Sequence, residues 1–142
     1  MDILIDFDGT CVTHKFPGIG KDIGAVPVLK KLVKAGHRLI LFTMRSNLLT
    51  YTSLEGTGLV PNRKGNFLNQ AIKWFLYNDI PLYGVQTNPT QSTWTESPKA
   101  YGQLMIDDSA LGCPLIYPEN GDRPYVDWER VENILANELK II

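Results

Sequence analysis

Cysteine is scarce in this chain. There are two, Cys11 and Cys113, too few for a disulfide framework, so a reduced, cytoplasmic setting is expected. Neither sign of charge is in excess: 14 Lys and Arg stand against 15 Asp and Glu, a net charge of −1. Without a basic surplus or a block of like charge, general nucleic-acid binding is not expected. No apolar run approaches the ~18 residues of a membrane span. The amino terminus reaches Asp2 and Asp6 almost at once. It shows neither a basic region nor an apolar stretch, so neither a signal peptide nor a membrane partner is expected. The triplet Asn88-Pro89-Thr90 resembles a glycosylation acceptor, but its proline disqualifies it.

What is present is an ordinary globular composition, 44% apolar and 20% charged over 142 residues. That length fits one domain, residues 1–142, with a core that needs no staple. Met1 to Asp6 reads as a short buried strand and Phe7 to Gly24 as loop. Gly18, Gly20 and Gly24 are spaced one residue too widely for a dinucleotide loop, and no strand immediately precedes them. A helix is expected over about 25–35, with Val28, Leu29, Leu32 and Val33 on one face, Pro27 in the first turn and Gly36 as the stop. His37 to Phe42 is a second strand.

Residues 46–65 are the least readable, broken by Gly56, Gly58 and Pro61. A second helix follows over about 66–78, striped by Leu68, Ala71, Ile72, Phe75 and Leu76. Leu82 to Gln86 is a third strand, Thr87 to Pro98 a polar loop, and Gln103 to Ile106 a fourth strand. Leu115 to Tyr117 is a short fifth. Asp127 caps a last helix carrying Trp128, Val131, Ile134, Leu135 and Leu139. Short apolar strands alternating with amphipathic helices imply an α/β fold. The expected form is a three-layer, Rossmann-like, doubly wound parallel sheet with helices on both faces.

In such folds ligands bind beyond the carboxyl ends of the strands. Asp6 and Asp8, Thr43, and the pair Asp107-Asp108 all fall there. Side chains two apart on an extended segment point the same way, so Asp6 and Asp8 face one site. Up to four carboxylates in one crevice raise one another's pKa values, and a divalent cation relieves them. Oxygen donors of this kind suit Mg²⁺, which keeps several waters and often takes phosphate as a further ligand. Thr43 and Lys99 then offer a hydroxyl donor and a point charge.

DFDGT after the first strand, Thr43 after the second, Lys99, and Asp107-Asp108 after the fourth resemble the four motifs of the haloacid dehalogenase (HAD) superfamily. The spacing from Lys99 to Asp107 also resembles that family's. The resemblance runs from residue 3 to residue 112. It implies that Asp6 is a nucleophile forming an aspartyl-phosphate and that Asp8 is the general acid and base. Thr43 and Lys99 would hold the phosphoryl group. Mg²⁺ would be bound by Asp6, the Asp8 carbonyl and Asp107, with Asp108 in or next to that shell. An aspartate two positions after the nucleophile points to phosphatases, because a leaving alkoxide needs a general acid.

Neither slot where the family inserts a cap domain has room for a full one, so a capless or minimally capped member is expected. Its partner would be a phosphorylated small molecule or an exposed phosphate on a larger one. His14-Lys15-Phe16-Pro17 with Gly20, Thr43-Met44-Arg45-Ser46, and Asn88-Pro89 resemble small bacterial and phage HAD phosphatases of unassigned substrate. Met44, Arg45 and Asn88 are accordingly candidate substrate contacts. Arg45 stands between a bidentate grip on substrate and a structural salt bridge. His14 stands between a loop hydrogen-bonder and a catalytic group. Tyr51 and Trp94 lie in loops able to cover the site. Two rival readings remain, a phosphotransferase and a non-catalytic phosphate- or metal-binding module. A receiver domain is disfavoured, because the third strand ends in Gln86-Thr87 rather than aspartate. A homo-oligomer stays open.

Overall fold

The structure, a computed structural model, describes residues 1–47 and 65–142. Most of the unreadable stretch, with Tyr51, lies outside the described residues. The first strand, β1 (Asp2–Ile5), is buried along its whole length. A continuous apolar run is what a strand covered on both faces requires. It is followed by α1 (Ala25–Lys34), β2 (Arg38–Leu41), α2 (Phe67–Tyr77), β3 (Gly84–Val85) and β4 (Leu104–Ile106). The four strands form one parallel sheet in the order β3-β2-β1-β4. Ile3 lies opposite Leu39 and Leu104, and Ile5 opposite Leu41 and Ile106. The sheet is flanked by helices, so the α/β, Rossmann-like class is observed.

The layering differs from expectation. α1, α2 and α3 (Trp128–Asn133) bury Leu29, Phe75 and Val131 in one cluster with Ile3, Ile5, Leu39 and Leu41. The alternate residues Leu4 and Ile40 face the other way and pack on Ala100, with Tyr83 and Phe42 beside it. That second face is covered by the connection 86–103, whose one helical piece is a 3₁₀ turn at Gln91–Thr93. The physical reason is its composition: Pro89 and Pro98 punctuate a polar stretch with no helical period. A short antiparallel pair, β5 (Leu115–Ile116) with β6 (Tyr125–Val126), precedes α3. Asp127 caps α3, its carboxylate accepting from the Arg130 N–H. The last helix then continues as a π turn over Ile134–Glu138.

The amino-terminal edge of the sheet is tied by Asp2. Its carboxylate accepts from Arg38 Nε (2.6 Å) and from Asn88 Nδ2 (2.8 Å). Burial pushes this carboxyl up, but the bonds from Arg38 and Asn88 outweigh it and hold it below its usual range. Asn88 is buried here, its Oδ1 accepting from the N–H and hydroxyl of Thr90. It therefore does not contact substrate at the carboxyl ends, and that expectation is corrected. Replacing Asn88 with Ala removes the bond to Asp2 and both bonds from Thr90. The expected loss is ~1–3 kcal/mol, read as a lower urea midpoint with an unchanged slope.

Candidate functional site

The strand order reverses beside β1. The chain moves from β1 outward through β2 to β3, then returns to the other side of β1 as β4. Such a switch point opens a crevice at the carboxyl ends of the strands. Asp6 follows β1 and Asp107 follows β4, and the Asp6 N–H donates to the Ile106 carbonyl at 3.1 Å. A cleft of about 440 Å³ opens here, lined by Asp6, Asp8, Thr43, Asp107 and Asp108 together with His14 and Arg123. Five of the residues expected to act together are thus brought to one mouth.

Asp6, Asp107 and Asp108 each present an oxygen within 4.8 Å of the others. Burial pushes the Asp6 carboxyl up to about 7, and the Asp107 and Asp108 charges add to this against a hydrogen bond from Thr10. Three convergent hard oxygen donors, one made reluctant to ionise by burial and then by the other two, fit a divalent cation of the Mg²⁺ kind. The metal role expected of Asp8 is that of its carbonyl; its side chain lies outside this triad and is bonded to Arg45. Ser109 secures Asp107, donating to its Oδ1 from both N–H (2.8 Å) and hydroxyl (2.7 Å).

Thr10 joins the two acidic ends. Its hydroxyl donates to Asp6 Oδ2 (2.7 Å) and accepts from the Asp108 N–H (3.0 Å). Trp128 in turn donates its indole N–H to the Thr10 carbonyl at 2.7 Å. Gly9 has φ +82°, and a Cβ there would lie 2.1 Å from His14 Nε2 and 2.5 Å from Asp108 Oδ2. Only glycine lets His14 reach Asp108, which it does at 2.8 Å. His14 is therefore bound to the acidic cluster as well as lining the cleft.

Asp8 is held by Arg45. Arg45 Nε donates to Asp8 Oδ2 (2.7 Å) and Nη2 to Asp8 Oδ1 (2.8 Å), a bidentate fork. Nη2 also donates to the Gly18 carbonyl at 2.6 Å. Nη1 reaches the carbonyls of Pro17 and Phe67, both at 3.4 Å. The guanidinium carbon lies 5.1 Å from the ring centres of both Phe7 and Phe16. Arg45 is 3% exposed. Its donors are committed to protein oxygens, so the expected substrate grip is corrected to a structural clamp on Asp8 and the loop after β1.

Thr43 stays at the cleft with its backbone fixed by Gln86. Gln86 Oε1 accepts from the Thr43 N–H (2.9 Å), and Nε2 donates to the Thr43 carbonyl (2.6 Å). Met44 is fully exposed at the rim. Lys99 is not at the cleft. It is exposed, its carbonyl accepts from Gln91 Nε2, and it precedes the amino-terminal end of β4, where Gln103 pairs with Asp2. Trp94 packs edge-on against Tyr101, also off the cleft. Cys11 is buried with its thiol pushed well above its usual range by burial and then by Asp6 and Asp8, so it serves as packing. Thr10, Gln86, Ser109 and Arg123 were not singled out from the sequence. Thr10 alone carried a signal, as the last residue of DFDGT.

Asp6 sets a pH dependence for the metal-free protein. Its folded pKa of about 7 exceeds the ordinary 3.8. Between those values the folded chain keeps a proton that the unfolded chain has released. Stability therefore falls as pH rises through that window and stays reduced above it. Thermal unfolding should show a midpoint that drops from about pH 4 to about pH 7, and Asp6→Asn should flatten the slope. A divalent cation held by the triad would displace that proton, so added Mg²⁺ should raise the midpoint more above pH 7 than below it.

No family model matches the chain, and no curated protein does. Among solved structures, a conserved protein from Bacteroides thetaiotaomicron is 29% identical, with a TM-score of 0.67 over 97% of this chain and 91% of that one. The α/β architecture is thus common to both proteins across nearly their whole lengths.

Proposed function

We propose that the protein is a Mg²⁺-dependent phosphatase of the HAD type, hydrolysing a phosphomonoester through an aspartyl-phosphate on Asp6. The observation that carries this reading is the convergence of Asp6 with Asp107 and Asp108 at the switch point, with Asp8 two residues on. The metal, held by Asp6, Asp107 and Asp108, would neutralise charge on the phosphoryl oxygens. An Asp6 carboxylate oxygen attacks phosphorus, and the bond to the substrate oxygen breaks. Asp8 gives that oxygen a proton, so an alcohol leaves. Asp8 then takes a proton from water, whose oxygen attacks phosphorus and releases inorganic phosphate and free Asp6. Thr43 offers its hydroxyl to the phosphoryl group. Positioning and charge neutralisation supply most of the catalysis in such transfers.

Asp8 has a cost to meet in this scheme. Both its oxygens accept from Arg45, so the carboxyl is committed to the guanidinium rather than to a substrate oxygen. The acid step requires Asp8 to leave the fork and turn to the substrate oxygen. Arg45 then acts as a positioning residue that parks Asp8 between turnovers. Arg123, exposed on the cleft and in no ion pair among the described residues, takes the phosphate-facing role first given to Lys99. Hydrolysis is favoured over phosphotransfer because the slot after Asp8 holds only a short hairpin, joined by Val12 and Asp22 and by the Thr13 N–H to the Lys21 carbonyl.

Phosphate release from p-nitrophenyl phosphate tests the reading. Release should require Mg²⁺, vanish in Asp6→Asn and fall about 10²–10⁴-fold in Asp8→Asn. Folded protein that binds Mg²⁺ but releases no phosphate from a broad panel of phosphoesters would sink it. The roles of the cations separate kinetically. Lys99→Ala should leave both constants near wild type, and Arg123→Ala should raise KM. Arg45→Lys should lower kcat about tenfold or more with little change in KM, since the bidentate fork is lost and no substrate contact is.

A further inference from the structure

We infer that the substrate carries a second anionic group, a phosphate remote from the one hydrolysed, bound in a separate groove next to the cleft. This rests on the phosphatase reading above. The groove is larger than the cleft, about 670 Å³, within the usual size of small-molecule sites. One wall is the hairpin after β1, contributing Lys15, Ile19 and Lys21. The other is the segment before α3, contributing Asp122, Arg123 and Tyr125. His14 and Arg123 line both the groove and the cleft. A ligand with one phosphate at Asp6 therefore extends past these two side chains into the groove.

The charge in the groove is one-sided. Lys15, Lys21 and Arg123 face a single carboxylate, Asp122, in a chain whose net charge is −1. None of the three cations makes an ion pair among the described residues. Asp122 is already engaged, its Oδ2 accepting from Asn120 Nδ2 at 3.0 Å. The hairpin is also built to hold its lysines in place. The Lys21 N–H donates to Thr13 Oγ1 (2.9 Å) and the Thr13 N–H to the Lys21 carbonyl (3.0 Å). A Cβ on Gly20 would lie 1.9 Å from the Thr13 carbonyl oxygen, so only glycine lets the two arms close. Arg45 fixes the tip through Gly18. Ile19 and Tyr125 add apolar surface for the organic body between the two phosphates.

The test compares phosphate release from adenosine 3′,5′-bisphosphate, adenosine 5′-monophosphate, a 5′-phosphorylated oligonucleotide and p-nitrophenyl phosphate. Wild type and Lys15→Ala/Lys21→Ala are assayed side by side. The expected result is a kcat/KM at least about tenfold higher for the bisphosphate than for the monophosphate, the size of one charge-assisted hydrogen bond. The double variant should lose that preference through KM and keep its rate on p-nitrophenyl phosphate. Equal preference in both proteins, or none in wild type, overturns the inference. A preference shared by the oligonucleotide assigns the groove to a nucleic-acid end, and one confined to the bisphosphate assigns it to a small molecule. Should no substrate be hydrolysed, the phosphatase reading fails by itself. Calorimetric titration of adenosine 3′,5′-bisphosphate then decides the groove: weaker binding to the double variant supports it, and equal or absent binding overturns it.

Discussion

Three carboxylates are held against one another at the ends of β1 and β4, and the surrounding structure is arranged to tolerate them. Like charges so close would part if the chain allowed it. The parallel ladder does not allow it, because the Asp6 N–H is bonded to the Ile106 carbonyl. The strain is met by keeping a proton on Asp6 near neutral pH and by the Thr10 hydroxyl that bridges the two sides. Thr10 is in turn fixed by Trp128, and Gly9 by the Val126 N–H donating to its carbonyl at 2.9 Å. The β5–β6 pair and the start of α3 thus support a loop more than a hundred positions earlier in the chain. A bound cation would convert this repulsion into binding energy, so a preformed acidic cluster on a rigid sheet would suit metal-assisted chemistry.

Arg45 is the second organising group. Burying a guanidinium carries a desolvation penalty of several kcal/mol even when it is paired. A hydrophobic side chain would fill the space between Phe7 and Phe16 at less cost. What Arg45 adds is connection: Asp8, the hairpin at Pro17 and Gly18, and the first turn of α2 at Phe67 all meet on one planar fork. Loss of the fork would strand the Asp8 charge and release the hairpin together. The position of the hairpin and the orientation of Asp8 are therefore one structural variable.

The acidic residues and Thr43 were legible in the sequence because they end apolar strands, and strand ends define the crevice. Lys99 was misread for a reason of the same kind. It stands eight positions before Asp107, but those positions include β4 itself. A strand of that length spans ~10 Å, so Lys99 lies at the opposite end of the sheet from the aspartate it was paired with. Asn88 was misplaced likewise, after the chain had already turned back towards Asp2. Arg45 was identified as important, but which oxygens it would meet depends on how the hairpin folds back, and no local pattern encodes that. Among the described residues the second face carries no α-helix, which was implicit in the polar, proline-bounded stretch 87–98. β6 is two residues long and carries no period to read.

The hairpin after β1 occupies the place where, by the resemblance, a larger member would insert a cap. A cap selects substrates by enclosing them and excluding water. Among the described residues this hairpin is the one element in that place, and it forms a wall between two clefts that share His14 and Arg123. On the proposed reading, charge placed at a distance from the reacting atoms would contribute to selection. Binding energy gained there would then be spent on holding the phosphoryl group in line with Asp6. Arg45 ties this wall to Asp8 through the Gly18 carbonyl, so a change in the hairpin bears on Asp8. On the proposed reading, a ligand that steadies the hairpin through Lys15 and Lys21 would also reset the fork that holds Asp8.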